Sequence, residues 1–195
     1  GQGYATACRM GLESALLATQ AAIDENVYRD RRGRDIVRLR YRDFLQDTPY
    51  VAIMRTDLVR LLRDALPAST EIRFGTTLAA IENGEAGVCA RLSDNTDVSA
   101  DLLIAADGVR SATRRLAFGD GHGRLEPLGY RFAVYDLTSD AALDADFVSF
   151  VEPGHMAEYY RIGDHRLAAL HVWRNDGAER ATDAAAWDEL GAVTT

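Results

Sequence analysis

The stretch DLLIAADGVRSATRR, residues 101–115, decides the fold class of this chain. Its apolar run Leu102–Ala106 is typical of a strand that is buried on both faces of a parallel sheet. The run ends at Asp107 and Gly108, and an Asp-Gly pair commonly forms the turn of a β-hairpin. No period-2 alternation follows the pair, however, and Ser111 is a favourable N-cap for a short helix. We therefore predict a central buried strand with Asp107 at its carboxyl end, where open α/β sheets bind ligands.

Composition narrows the class of protein. The chain has 195 residues, of which 47% are hydrophobic and 27% charged, and its net charge is -8. An acidic chain does not attract polyanions, so no nucleic-acid partner is expected. The sequence contains neither an apolar run long enough to span a membrane nor a signal-peptide pattern. Because two cysteines make no disulfide framework, we expect a cytoplasmic protein.

The sequence pattern predicts an α/β chain with a change of texture near its middle. Before Pro67 it predicts a helix ending near Gln20, a hairpin with its turn at Asp30–Gly33, and an amphipathic helix over 56–66. Three strands are then predicted in EIRFGTTLAAIEN, GVCARLSD and DVSADLLIAADG, separated by Gly-, Asn- and Asp-rich turns. Four antiparallel strands are predicted after them, in YRFAVYDLT, DFVSFVEPG, MAEYYRIGD and RLAALHVWRN. The boundary between 1–120 and 121–195 is placed in FGDGHGRLEP.

Both ends indicate a segment of a larger protein. The chain starts with Gly1 and enters a helical pattern almost at once. Its last residues, DAAAWDELGAVTT, predict a helix with no element after it.

Arg55 precedes the amphipathic helix in IMRTDLVRLL. Thr56 or Asp57 is predicted to cap this helix, which leaves Arg55 just outside it. A guanidinium beside the free amides of a helix N-terminus is a favourable site for an anion. The alternative is a solvent-exposed ion pair between Arg55 and Asp57, which contributes little. Arg60 and Arg63 are predicted to lie on the solvent-exposed face.

The segments GYATACRMGLESAL, IMRTDLVRLLRDAL and DLLIAADGVRSATRR occur in an order and spacing that resembles the FAD-dependent aromatic monooxygenases typified by para-hydroxybenzoate hydroxylase. That family has a DG motif, which Asp107, Gly108, Ser111 and Arg114 match residue by residue. The resemblance implies that Asp107 lies near the FAD ribose and pyrophosphate and affects pyridine-nucleotide binding. It also implies that Arg55 contacts the flavin. The implied cofactor-binding residues are Arg55, Asp107, Gly108 and Arg114.

The resemblance implies a partial Rossmann-like FAD-binding domain over 1–120 and a partial antiparallel-sheet substrate-binding domain over 121–195. The implied function is FAD- and NAD(P)H-dependent hydroxylation of an aromatic or polycyclic small molecule through a flavin hydroperoxide. The cofactor performs this chemistry, so no catalytic side chain is expected. Four aromatic residues of the later strands could line the substrate pocket or could belong to the core: Tyr130, Phe132, Tyr159 and Tyr160.

The chain also departs from the family. The strand–GxGxxG–helix unit and the later Gly-Asp motif are missing, and Ala105 stands where the family commonly has Gly. We therefore expect residues 1–195 alone to hold FAD weakly or not at all, without NAD(P)H oxidation. The alternative function is a non-catalytic binding module that has lost its flavin. The four histidines lack metal-ligand spacing, so no metal site is predicted, and RDRRGR is predicted to be a solvent-exposed turn.

Overall fold

The computed structural model describes residues 2–45, 48–119, 123, 126–140, 142–175, 185, 187–188 and 190–191. The chain divides into two compact units, which we call the sheet unit (Gly1–Pro67 and Leu128–Thr195) and the DG unit (Ala68–Pro127). The division into an FAD-binding and a substrate-binding part at residue 120 concerns ligands and stays a prediction. Of the helix predicted near the end, residues 185, 187–188 and 190–191 are helical, and the rest lies outside the described residues.

Helices and strands both occur along the described chain, in short runs of each kind, which confirms the predicted α/β class. The helices are α1 (Gln2–Arg9), α2 (Glu13–Thr19), α3 (Tyr41–Phe44), α4 (Arg55–Asp64) and α5 (Ala112–Phe118). The strands are β1 (Glu25–Arg29), β2 (Asp35–Arg40), β3 (Leu78–Gly84), β4 (Gly87–Leu92), β5 (Asp97–Ala100), β6 (Tyr130–Thr138), β7 (Phe147–Glu152), β8 (His155–Gly163) and β9 (Arg166–Arg174).

The sheet unit contains one six-stranded sheet in the order β2-β1-β7-β8-β9-β6. β1 and β7 are parallel, and the other neighbouring pairs are antiparallel. The predicted hairpin is confirmed: Gly33 in its turn has φ +75°, and the Asp30 carboxylate accepts hydrogen bonds from the amides of Arg32 and Arg34. The four predicted later strands are confirmed as β6, β7, β8 and β9.

The start of the chain contains one more helix than predicted. The helix predicted to end near Gln20 is confirmed as α2, which has Gln20 as its C-cap, and Gly11 with φ +77° separates it from the additional helix α1. The two helices pack against each other through Ala7, Leu12 and Leu16, which form a buried cluster. The predicted amphipathic helix α4 completes this cluster with its leucines, namely Leu58, Leu61 and Leu62.

Replacing Leu16 with Ala should destabilise the sheet unit by about 2–5 kcal/mol, because the cavity left in the cluster cannot collapse fully. The side chain of Leu16 is 3% exposed, whereas its neighbour Leu17 is 47% exposed. The matched variant Leu17→Ala should therefore change stability by less than about 0.5 kcal/mol. Urea unfolding monitored by circular dichroism measures both values. Equal effects of the two variants would contradict the packing described here.

The two faces of the six-stranded sheet differ in exposure. One face, which we call the covered face, is buried along β9, where Ala169, His171 and Trp173 are 0–4% exposed. The other, the open face, is exposed at the edge strand β6, where Tyr130, Phe132 and Val134 are 61–72% exposed. Alternate residues of a strand point to opposite faces, so this contrast follows directly from the register of β6 on β9. The open face thus carries exposed apolar side chains along one edge.

The DG unit is built on a three-stranded antiparallel sheet in the order β3-β4-β5. The central strand β4 confirms its prediction. The first strand is shorter than predicted, because residues 71–77 precede β3 without forming strand. The third strand β5 ends at Ala100, well before the predicted end at Gly108.

The prediction of a buried central strand over Leu102–Ala106 is wrong. These residues form no strand, and the side chains of Leu102 and Ile104 are 73% and 79% exposed. A strand buried on both faces needs a hydrogen-bonded neighbour on each side. Among the described residues no strand pairs with this run. Its apolar sequence therefore indicates a requirement for burial that the DG unit alone does not meet.

Candidate functional site

A short loop follows the apolar run and leads into α5, which confirms the short helix predicted after Ser111. Gly108 has φ +78°, a backbone conformation that favours glycine, and its carbonyl accepts the Ser111 amide at 3.1 Å. Ser111 is the N-cap of α5, as predicted, because its Oγ accepts the amide N–H of Arg114 at 2.9 Å. A helix follows the Asp-Gly pair in place of a second strand, so the hairpin alternative is wrong for this chain.

The carboxylate of Asp107 organises this loop. Its Oδ1 accepts a hydrogen bond from the Ser111 hydroxyl at 2.5 Å. Its Oδ2 accepts from both the amide and the hydroxyl of Thr113, at 3.0 and 2.9 Å. These hydrogen bonds, first among them the one from Ser111, hold the pKa of Asp107 well below its usual range. Asp107 is therefore an ionised residue with both oxygens engaged by the start of α5.

Acid should loosen the start of α5. A carboxyl whose pKa is depressed by folding stabilises the folded loop above its unfolded pKa, about 3.9 for Asp, and this contribution declines as the pH falls below that value. We expect the protection of the Thr113 and Arg114 amides against hydrogen exchange, corrected for the intrinsic rate, to fall below about pH 4. In Asp107→Asn this pH dependence should be absent. Parallel profiles for the two proteins would contradict this role of Asp107.

Arg114 lies in the first turn of α5 and has an unused donor. One terminal nitrogen donates to the Val109 carbonyl at 2.8 Å. Its Nε is the one buried side-chain nitrogen or oxygen without a partner in the described part of the chain. A Cβ placed on Gly123 would lie 2.8 Å from this Nε, so the absence of a side chain there leaves room for the guanidinium. Asp107, Gly108 and Arg114, all predicted from the sequence, line one cavity of about 880 Å³.

Arg55 is placed differently from its prediction. It is the first residue of α4, and Met54 is the N-cap without a side-chain capping bond, so a cap by Thr56 or Asp57 is wrong. The carboxylate of Asp57 pairs with Arg60 at 2.9 Å, so the alternative ion pair with Arg55 is wrong as well. Arg55 is exposed and has no hydrogen-bond or ion-pair partner within the described ranges. It belongs to the sheet unit, whereas Asp107, Gly108 and Arg114 belong to the DG unit.

The four predicted pocket aromatics fall into two groups. Tyr130 and Phe132 are exposed on the open face, so the core alternative is wrong for both. Tyr159 and Tyr160 are half-buried on opposite faces of β8. The hydroxyl of Tyr159 lies 3.1 Å from Nε2 of His171, and the hydroxyl of Tyr160 contacts Met54 Sδ at 3.9 Å.

Sequence reasoning missed two buried polar clusters in the sheet. On the covered face His155 bridges Glu152 and His171, at 3.3 and 3.2 Å. On the open face Ser149 lies between Asn26 and Glu158, at 3.0 and 3.1 Å. The signal available was the alternation of β8, which places histidine and tyrosine on one face and a lone glutamate on the other. Within the described ranges, no group of three or more potential metal ligands is found.

These features can be compared with known proteins. Residues 8–192 match the family model described as FAD binding domain. The match covers most of the chain, and the chain therefore belongs to this family of FAD-binding domains. The resemblance noted from the DG motif is confirmed by the relatives that the chain matches.

Two of the relatives that the chain matches are named as a monooxygenase and a hydroxylase. The chain is 31% identical over 169 residues to 3-amino-4-hydroxybenzoate 2-monooxygenase of Streptomyces cremeus, with 80% of this chain and 41% of the relative covered. It is 34% identical over 105 residues to aklavinone 12-hydroxylase of Streptomyces peucetius, covering 51% and 20%. An uncharacterised Mycobacterium tuberculosis protein is 26% identical, covering 89% and 44%. The chain thus spans less than half the length of these relatives.

Solved structures show the same fold. A tetracycline destructase superposes with a TM-score of 0.77 at 19% identity, covering 100% of this chain and 50% of that protein. An HpxO variant of Klebsiella pneumoniae complexed with FAD superposes with a TM-score of 0.73 at 24% identity, covering 98% and 50%. At these sequence identities, the superpositions establish the fold of the chain and not its activity or ligand. Of the helices in the described part of the chain, none has the length and apolar character needed to cross a bilayer.

Proposed function

We propose that the full-length gene product is an FAD- and NAD(P)H-dependent monooxygenase that hydroxylates an aromatic or polycyclic small molecule. The observation that carries this proposal is the hydrogen-bonded group of Asp107, Ser111 and Arg114 at the start of α5, which we call the DG loop. The chain that contains it belongs to the FAD binding domain family. The names of the two monooxygenase relatives support the reaction class.

The residues of the DG loop fit a dinucleotide. Arg114 lines the cavity, and a phosphate oxygen is a good acceptor for its guanidinium. The cavity of about 880 Å³ falls within the range of roughly 300–1,000 Å³ that is common for cofactor sites. At Gly108 the backbone can be approached closely, because nothing lies within 4 Å of the position of its missing Cβ. Sugar hydroxyls can donate to the remaining lone pairs of the Asp107 carboxylate.

Each proposed residue then has a distinct task. Arg114 would hold an oxygen of the cofactor through its guanidinium, and Asp107 would keep the loop and Ser111 in place while accepting from a hydroxyl. Arg55 would supply a cation beside the uncapped first turn of α4, where the backbone amides also favour an anion. Bound FAD would supply the redox chemistry, in which the aromatic ring, O₂, NAD(P)H and a proton yield the hydroxylated ring, water and NAD(P)⁺. The protein would orient the ring and exclude water.

The test is reconstitution of the full-length gene product with FAD. We expect stoichiometric bound flavin after dialysis and NAD(P)H oxidation that is stimulated by an aromatic compound. A colourless protein that retains no flavin and oxidises no NAD(P)H would favour the non-catalytic binding module instead. Residues 1–195 alone should quench little flavin fluorescence, because they lack the GxGxxG turn that holds a pyrophosphate.

A further inference from the structure

Four aromatic rings form a continuous stack on the covered face. His155 of β8 stacks on His171 of β9, with ring centroids 5.4 Å apart and an angle of 25° between the ring planes. His171 stacks in turn on Tyr135 of β6, at 5.7 Å and 17°. Tyr135 makes an edge-to-face contact with Trp187, at 5.3 Å and 63°. Because Trp187 is one of the helical residues 187–188, this ring stack connects three strands of the sheet to a helix.

The two histidines also lie in a chain of three hydrogen bonds. The Tyr159 hydroxyl lies 3.1 Å from His171 Nε2, and His171 Nδ1 lies 3.2 Å from His155 Nε2. His155 Nδ1 lies 3.3 Å from Oε1 of Glu152. A phenol and two neutral imidazoles carry three protons between them, which is the number that three contacts ending on a carboxylate need. Both imidazoles therefore carry their proton on Nδ1, and the Tyr159 hydroxyl donates to His171.

A further proton on His171 would disrupt this arrangement. It would turn Nε2 from an acceptor into a donor, and the Tyr159 hydroxyl would lose the one acceptor it has among the described residues.

The surroundings of His171 do not compensate a positive charge. The residue is 2% exposed, and a buried cation needs a paired anion. The register and the ring contacts place four titratable or charged side chains of the sheet next to it, none of them a carboxylate: Arg131, Tyr135, His155 and Tyr159. Glu152 contacts His155 instead, and Asp188 beside Trp187 is exposed. Burial lowers the pKa of His171, and the neighbouring His155 acts in the same direction.

We infer that His171 is an acid-sensitive latch for the helix that carries Trp187: the ring stack is complete while His171 is neutral, and it loosens when acid places a proton on this ring. A histidine whose pKa is lowered by folding binds fewer protons in the folded chain than in the unfolded chain. Its contribution to stability is therefore fully present above about pH 6.5, the usual value for His, and is lost as the pH falls below that value. This inference does not depend on FAD or on the proposed function.

The test compares urea unfolding of the chain and of His171→Gln between pH 8 and pH 5. One extra proton bound by the unfolded chain raises the unfolding constant up to about tenfold per pH unit below about pH 6.5. His171→Gln should lack this part of the rise, because glutamine does not titrate. The matched control is His165→Gln, since His165 is exposed and lies outside the ring stack; it should keep the steepness of the wild type. Titrating groups common to the wild type and the variants cancel in the comparison.

Hydrogen exchange locates the effect on the helix. The amide of Leu190, a helical residue that is 3% exposed, should lose protection, corrected for the intrinsic rate, as the pH falls below about 6.5. In His171→Gln this protection should not depend on pH over the same range.

Two results would overturn the inference: a profile of His171→Gln that is as steep as that of the wild type, or protection of Leu190 that stays constant in the wild type. If His171→Gln does not fold, ¹⁵N NMR of the imidazoles in the wild-type chain decides. We expect His171 to remain the neutral Nδ1–H tautomer at pH 6, where a histidine with the usual pKa of about 6.5 is mostly protonated. A protonated His171 ring at that pH would count against the latch.

Discussion

Replacing Asp107 with Ala should remove FAD from the full-length gene product, with affinity lowered roughly a hundredfold or more. Three hydrogen bonds from Ser111 and Thr113 end on this carboxylate. Their loss frees the start of α5 and with it the backbone that carries Arg114. Equilibrium dialysis of FAD measures the effect, and hydrogen exchange of α5 reports the loosening.

Two further variants distinguish the effect of the hydrogen bonds to Asp107 from the effect of removing a negative charge. Thr113→Val keeps its amide donor and loses only the hydroxyl contact, so it should lower FAD affinity less than Asp107→Ala does. Glu82→Ala removes an exposed carboxylate of the same unit and should leave FAD binding unchanged. Undiminished FAD affinity in Asp107→Ala would reject the role assigned to this loop.

Replacing Arg55 with Ala should weaken FAD retention about tenfold or more, because a charge-assisted hydrogen bond worth about 1.5–3 kcal/mol would be lost. The matched control is Arg63→Ala on the same helix, whose guanidinium pairs with Asp64 at 2.9 Å. Raising the ionic strength should weaken binding in the wild type more than in Arg55→Ala. Flavin content after dialysis measures the first effect. Equal retention by both variants would mean that Arg55 is an ordinary surface cation.

Local patterns predicted the sheet unit well. The strands β6–β9 and the β1–β2 hairpin follow from alternation and turn residues, which are properties of neighbouring positions. The separate helix α1 was not predicted, because the apolar spacing that indicates α2 begins only at Leu12, after the left-handed Gly11. The run Leu102–Ala106 was misassigned for a different reason. The hydrophobicity of a segment indicates that it needs burial, but it does not indicate which other strands of the protein pack beside it.

The candidate site likewise contains some features that local sequence spacing predicts and others that only the folded structure reveals. Asp107, Gly108, Ser111 and Arg114 lie within eight residues, so spacing alone could place them on one loop. The contact between Ser149 and Asn26 joins positions 123 residues apart, and only the sheet register brings them together. The free Nε of Arg114 depends on Gly123 and on a rotamer, neither of which a sequence pattern encodes.

The edge position of β6 has a practical consequence for handling the chain. Within the described residues this strand pairs only with β9, so the backbone donors and acceptors of alternate residues along its nine-residue length face outward beside Tyr130, Phe132 and Val134. An edge of this kind is a template for adding another strand, and natural sheets usually blunt it with charge or proline. Concentrated preparations of these residues will therefore self-associate first along this edge, and solubility will depend more on shielding β6 than on the net charge of the chain.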